Sequence, residues 1–427
     1  MEKFDAIVVG AGLAGLACAY KLAQEGLEVL VLERGDYAGA KNVTGGRIYI
    51  NPVRELFPDL WEKAPFERYI AHEGVVVMAK ERSVSFEYSG NELRQPPHQS
   101  YSILRAKFDR WLARQAEQKG AIIVTKSLVE DVIVVNEKVA GVRASGDELY
   151  ADVVIACDGV LSLISEKAGL RKPGLAKNYA VGFKEIIEMD PQMIEERFHL
   201  EENEGAARLF LGEVTKGKFG GGFLYTNQSS LSLGIVIGIE GLMEGNPTLE
   251  APQILDDFKQ RPEISRLIRG GEIVEYSAHV IPEGGYKALG KLFGNGILVA
   301  GDAAGFSMNI GVTVRGMEYA IATGFYAALT VLDAKQRGDY SASVLSQYEK
   351  YLNDSFVIKD FKSFQDAPAV LDNPRIYQYY PDLIGNILKD VYAVNGAKDK
   401  IYQTVRNHIS LRDLFAIAGD ARKVMKI

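Results

Sequence analysis

Short apolar runs that end in glycine or aspartate punctuate the chain. Asp5-Ala-Ile-Val-Val-Gly10 is rich in β-branched residues and predicts a strand. Gly10-Ala-Gly12-Leu-Ala-Gly15 follows at once, and the Ala/Leu-rich stretch 16–24 predicts a helix. A second strand over 27–32 ends at Glu33. The same punctuation returns in Val153-Val-Ile-Ala-Cys-Asp158-Gly159 and in Gly296-Ile-Leu-Val-Ala-Gly301-Asp302-Ala-Ala-Gly305. Apolar residues at helical spacing then predict a helix over 316–332. Between these runs the pattern alternates: 71–99, 207–212, 223–225 and 230–238 read as strands of an antiparallel sheet. Past residue 340 the spacing is helical, with Tyr380, Leu383, Ile384, Ile387, Leu388 and Val391 on one stripe and Tyr377, Tyr379 and Tyr392 beside it.

Strand, glycine turn, helix, strand and a closing acid form the pattern of a dinucleotide site. Gly10 permits the turn, Gly12 admits a pyrophosphate, and Gly15 lets the helix lie close to the sheet. The helix N-terminus then faces an anion, and Glu33 stands where a carboxylate accepts hydrogen bonds from a ribose. Asp302, at the end of a later strand, suits a ribityl hydroxyl and favours FAD over NAD; as a bare pattern it also fits a helix cap. Asp158 has the same place after its own strand, or marks an Asp-Gly turn. No second GxGxxG follows a strand, so no dedicated nicotinamide domain is expected.

Composition narrows the class. With 427 residues, 47% hydrophobic and 25% charged, the chain is an ordinary globular protein of two or three substructures. A net charge of -7 disfavours nucleic acid. Two cysteines, Cys18 and Cys157, lie in apolar stretches and cannot build a cluster or a four-thiolate site, and the five histidines show no i, i+4 pair, so no metal site is expected. The absence of a basic leader and of a run of roughly 20 apolar residues predicts a cytoplasmic chain, at most peripheral on the inner face of the cell membrane.

The three strand-end motifs, with Arg105 in Tyr101-Ser-Ile-Leu-Arg105, resemble the flavoprotein superfamily of aromatic hydroxylases and geranylgeranyl reductases. Ala40-Lys41-Asn-Val-Thr44-Gly45-Gly46, Phe219-Gly220-Gly221-Gly222-Phe223-Leu-Tyr225, Gly270-Gly271-Glu-Ile-Val-Glu-Tyr276 and Pro282-Glu-Gly284-Gly285-Tyr286 narrow the likeness. Together they resemble the electron-transfer-flavoprotein:quinone oxidoreductase family, in its shorter FixC type, up to about residue 365.

The resemblance implies an α/β fold: a Rossmann-like FAD-binding domain (1–70, 100–175 and 280–340) with an inserted antiparallel β-sheet domain for the quinone (71–99 and 176–279) and a C-terminal helical region (341–427). It implies FAD contacts at Gly10, Gly12, Leu13, Ala14, Gly15, Glu33, Arg34, Lys41, Thr44, Gly45, Gly46, Arg105, Asp158, Gly159, Gly301, Asp302, Gly311 and Val312. The quinone head would sit beside Gly220 and Gly221, where backbone without side chains lets a flat ring approach; glycines of a twisted strand would look the same. Gly221→Leu is accordingly expected to leave FAD in place and obstruct the quinone.

The longer members carry a four-cysteine cluster domain, for which this chain has no ligands. A separate small ferredoxin-like iron–sulfur protein is therefore implied, with a two-subunit electron transfer flavoprotein as donor, one that could bifurcate electrons from NADH. The proton donor for quinone reduction is not singled out. The stripe at 380–391 reads as a core or subunit-interface helix as readily as a membrane-facing one, and the basic tail 398–427 as a solvated surface or a docking face for an acidic partner. The rival readings are a geranylgeranyl reductase-type FAD enzyme and a non-catalytic isoprenoid carrier of the Rab-escort kind.

Overall fold

In the computed structural model of the chain, which describes residues 3–42, 46–243 and 250–427, strand Lys3–Val9 lies between Val29–Leu32 and Asp147–Ala156 and runs parallel to both. Ile122–Val124 extends the sheet beyond Val29–Leu32, and Ile297–Val299 extends it beyond Asp147–Ala156, again in parallel. Ile7, Val8, Val31, Val154 and Leu298 are fully buried. Both faces are covered, which is why these strands read as continuous apolar runs rather than as alternation. Helix Leu13–Gln24 packs on the sheet and against helix Met317–Arg337. The latter runs beyond the predicted 332 to its left-handed cap at Gly338.

A second sheet of nine strands is antiparallel between neighbours except where Glu204–Gly212 runs parallel to Tyr69–Met78. Gly46–Tyr49 and Ser100–Ile103 pair with each other and join this sheet, although they fall in the segments read as the FAD domain. The chain crosses between sheets twice there, and hydrogen bonding, not the apolar runs, sets the division. Leu231, Leu233, Ile235 and Ile237 alternate onto one face of the second sheet, where they meet Ile254, Phe258 and Ile264 from helices Ala251–Gln260 and Pro262–Ile268. The opposite face looks onto the carboxyl ends of the parallel strands.

Helices Gln347–Asp354 and Phe356–Ser363 bury Tyr348, Leu352, Val357 and Phe361 in the same core as the first sheet. Tyr379–Tyr392 follows, with the predicted stripe half-buried along its length because helix Ile401–His408 and strand Ser83–Tyr88 lie against it. The basic residues of the tail, Arg406, Arg412, Arg422, Lys423 and Lys426, are exposed beside Leu411, Phe415 and Met425. Among the described residues no helix is long and apolar enough to cross a membrane.

Candidate functional site

Four of the parallel strands end at one edge of the sheet and deliver Gly10, Glu33, Asp158 and Asp302 there, the edge where open α/β sheets bind ligands. Gly10 has φ +100°, and a β-carbon on it would stand 2.4 Å from the Cys157 carbonyl oxygen. Only glycine turns there. Gly12 differs: a β-carbon on it meets nothing closer than Asn42 Nδ2 at 3.9 Å. It begins helix Leu13–Gln24 without a side-chain cap, leaving first-turn N–H groups for an anion. Gly15 serves packing, because its β-carbon would stand 2.0 Å from the Gly10 carbonyl oxygen.

The Glu33 carboxylate is held by backbone: the Ala11 N–H donates to Oε2 at 2.9 Å and the Gly35 N–H to Oε1 at 2.6 Å. Burial raises the Asp158 carboxyl above its ordinary value; its Oδ2 accepts from the Ile164 N–H at 3.0 Å, while Oδ1 is buried with no hydrogen-bond partner among the described residues. Burial likewise pushes Asp302 up to about 6, with Arg105 pulling the other way. Arg105 is itself fixed on Asp109, its Nε and Nη2 each 2.8 Å from a carboxylate oxygen.

These groups line one cavity of about 710 Å³, within the range of small-molecule and cofactor sites. Gly10, Gly12, Leu13, Ala14, Glu33, Arg34, Lys41, Gly46, Arg105, Asp158, Gly159, Asp302 and Gly311 are on its wall. Gly15, Gly301 and Val312 are not on the wall, and Val312 is 61% exposed. Thr44 and Gly45 fall outside the described residues. Open space at Gly12, an uncapped helix end and an unpartnered carboxylate oxygen at Asp158 together fit a dinucleotide with ribityl or ribose hydroxyls.

The cavity continues to strand Gly220–Thr226 and touches Gly220, Gly221 and Gly222. These glycines also answer to packing. A β-carbon on Gly220 would stand 2.0 Å from the Val236 carbonyl oxygen, and one on Gly221 2.5 Å from that of Phe210. The Tyr377 hydroxyl, which donates to the Leu371 carbonyl at 2.9 Å, lies beside the Gly220 backbone.

Several wall residues escaped the sequence reading. Lys184 and His279 face the cavity from neighbouring strands. Burial and then Arg105 and Arg34 push His279 down to about 4, while burial and Arg105 lower Lys184. Arg47 is paired with Glu73 and Arg315 with Glu318 and Asp360. Glu283 and Tyr377 close the end near Gly220. The available signal was a single charge inside an apolar strand, as at Lys184.

Fold and site together define an FAD-dependent oxidoreductase. An FAD binding domain model matches residues 3–205, an ETF-QO ubiquinone-binding model residues 179–281, and an ETF-QO/FixC family C-terminal domain model residues 367–427. The chain is 47% identical to Protein FixC of Escherichia coli O157:H7 over 94% of this chain and 93% of that one. It is 44% identical to a probable electron transfer flavoprotein-quinone oxidoreductase, YdiS, of Escherichia coli K12, over 99% and 96%. The chain belongs to the FixC/ETF-QO family of FAD-dependent oxidoreductases. A geranylgeranyl bacteriochlorophyll reductase-like protein of Thermoplasma acidophilum superposes with a TM-score of 0.74 at 23% identity, covering 100% of this chain and 98% of that one, a likeness of fold alone.

Proposed function

We propose that the chain accepts electrons from an electron transfer flavoprotein onto FAD and passes them to a quinone. One observation carries the reading: a single cavity runs from the Gly12 turn to the Gly220–Gly222 strand, on a segment matched by a ubiquinone-binding model. FAD, when bound, supplies a two-electron store that exchanges with one- or two-electron partners. In this reading Gly10, Gly12, Leu13, Ala14 and the helix end hold the pyrophosphate, Glu33 and Arg34 the adenosine side, and Asp158, Gly159 and Asp302 the ribityl hydroxyls. Lys41, Thr44, Gly45, Gly46, Arg105, Gly311 and the Val312 backbone surround the ring; Gly15 and Gly301 shape the support behind it.

The nine-stranded sheet is the quinone side of the cavity. The role of the glycines there is to let the neighbouring strands approach closely. The exposed basic and apolar face of the tail suits a small acidic ferredoxin-like iron–sulfur partner, and the chain would work at the inner membrane surface, where its quinone dissolves. Bifurcation from NADH would belong to the electron transfer flavoprotein.

The test is stopped-flow oxidation of the reduced, FAD-loaded protein by a short-chain ubiquinone or menaquinone analogue, with and without the cognate electron transfer flavoprotein. Rapid reoxidation by quinone, and NADH-driven turnover only with the flavoprotein added, is expected. Rapid flavin reduction by NADH or NADPH with this chain alone would instead favour the reductase reading.

A further inference from the structure

Glu283 follows strand Glu272–Pro282 at the end of the cavity that holds Gly220 and Tyr377. It is 8% exposed, and among the described residues no Lys, Arg or His forms an ion pair with it. A buried carboxyl without a cation favours its protonated form. The Tyr377 hydroxyl and the Asn309 side chain are its polar neighbours, and Asn309 Oδ1 accepts from the Gly311 N–H at 2.9 Å. Asn309 is therefore oriented to present its N–H₂ to Glu283. Glu283 itself lies on the wall of the cavity, where its carboxyl can reach a bound ligand.

Tyr377, His279 and Asp302 on this wall are less suited to give a proton. The Tyr377 O–H is already donated to the Leu371 carbonyl at 2.9 Å, and burial together with Glu283 raises its pKa. His279, pushed down to about 4, carries no acidic proton at neutral pH. Asp302 lies at the parallel-strand edge, beside Arg105.

We propose that Glu283 is the acid that protonates the quinone. This rests on the quinone-reductase reading above. Reduction of a quinone to a quinol takes two electrons and two protons. FAD, bound and reduced, would supply both electrons and one proton; the Glu283 O–H bond would break as an O–H bond forms on the quinone carbonyl oxygen, and solvent would return a proton to the carboxylate between turnovers. Burial pushes this carboxyl up to about 7, so it is an acid matched to neutral pH. The groups facing it are Tyr377 from the C-terminal segment and Asn309 from the loop after Asp302; Arg47, Arg105, Lys184, His279, Asp302 and Arg315 share the cavity wall.

The experiment compares wild type, Glu283→Gln and Glu283→Asp, each loaded with FAD and reduced, in stopped-flow against a short-chain quinone and against ferricyanide, which takes electrons and no proton. With quinone, the wild-type rate should fall as pH rises through about 7. Glu283→Gln should be slower by about 10²-fold and lose that pH dependence, with Glu283→Asp between. With ferricyanide all three should match, which shows that FAD and fold are intact. A Glu283→Gln protein with the wild-type quinone rate and pH profile overturns the proposal, and so does one slowed equally with ferricyanide. Wild-type protein that quinone does not reoxidise overturns the functional reading itself, and this assignment with it.

Discussion

A β-carbon on Gly324 would stand 2.1 Å from the carbonyl oxygen of Ala14, so the helices Leu13–Gln24 and Met317–Arg337 touch backbone to backbone at this point. The contact fixes the helix whose first turn faces the cavity. Gly324→Ala should therefore lower stability by about 1–3 kcal/mol, the usual cost of overpacking, against a small gain in helix propensity. A lower thermal midpoint and a reduced FAD content on purification are the expected readouts; an unchanged midpoint would show that the helices can separate freely.

Gly10 and Gly12 should separate in their effects, as their different roles in the fingerprint imply. Gly12 has an ordinary φ of -87° and open space at its β-position, so Gly12→Val should fold with a circular dichroism spectrum like wild type and contain no flavin. Gly10→Val forces both a positive φ and a clash with Cys157, and should fail to accumulate as soluble protein. Full flavin content in Gly12→Val would remove the pyrophosphate from that turn.

Legibility along the chain followed range of interaction. Strand-then-glycine signals are local: Val9-Gly10 and Ala300-Gly301-Asp302 carry strand, turn and carboxylate within a few residues, and the parallel sheet and its acidic edge follow from them. The wall that the nine-stranded sheet contributes is not local. His279 faces the cavity because the register sets it opposite Gly182, and Glu283 meets Tyr377 across a long stretch of intervening chain. No window of sequence holds both members of such pairs. Gly324 was passed over for a related reason: a helical glycine has no signature that tells a helix contact from chance.

The open-backbone view of Gly221 predicted that Gly221→Leu would spare FAD and block only the quinone. The Phe210 carbonyl, 2.5 Å from where a β-carbon would go, changes that expectation. Even Gly221→Ala must push apart two hydrogen-bonded strands, so it should lose about 1–3 kcal/mol in urea unfolding before any effect on quinone is considered. A full-stability Gly221→Ala protein with slowed quinone reoxidation would restore the simpler view.

Asp302 makes the FAD-free protein less stable as it ionises. Its carboxyl rises from 3.8 to about 6 on folding, chiefly by burial, so between roughly pH 4 and 6 the folded chain binds more protons than the unfolded one. Stability contributed by this group is present below the lower value, falls as pH rises through the window, and stays low above it. A shift of about 2 units corresponds to roughly 3 kcal/mol at most. Asp302→Asn, which keeps the shape and never ionises, should therefore raise the urea midpoint of the FAD-free protein at pH 7 and leave it near wild type at pH 4. Equal midpoints at both pH values would mean that the carboxylate is well solvated in the empty cavity, and a loss of stability at pH 7 would mean that its charge is held by Arg105 more strongly than burial opposes it.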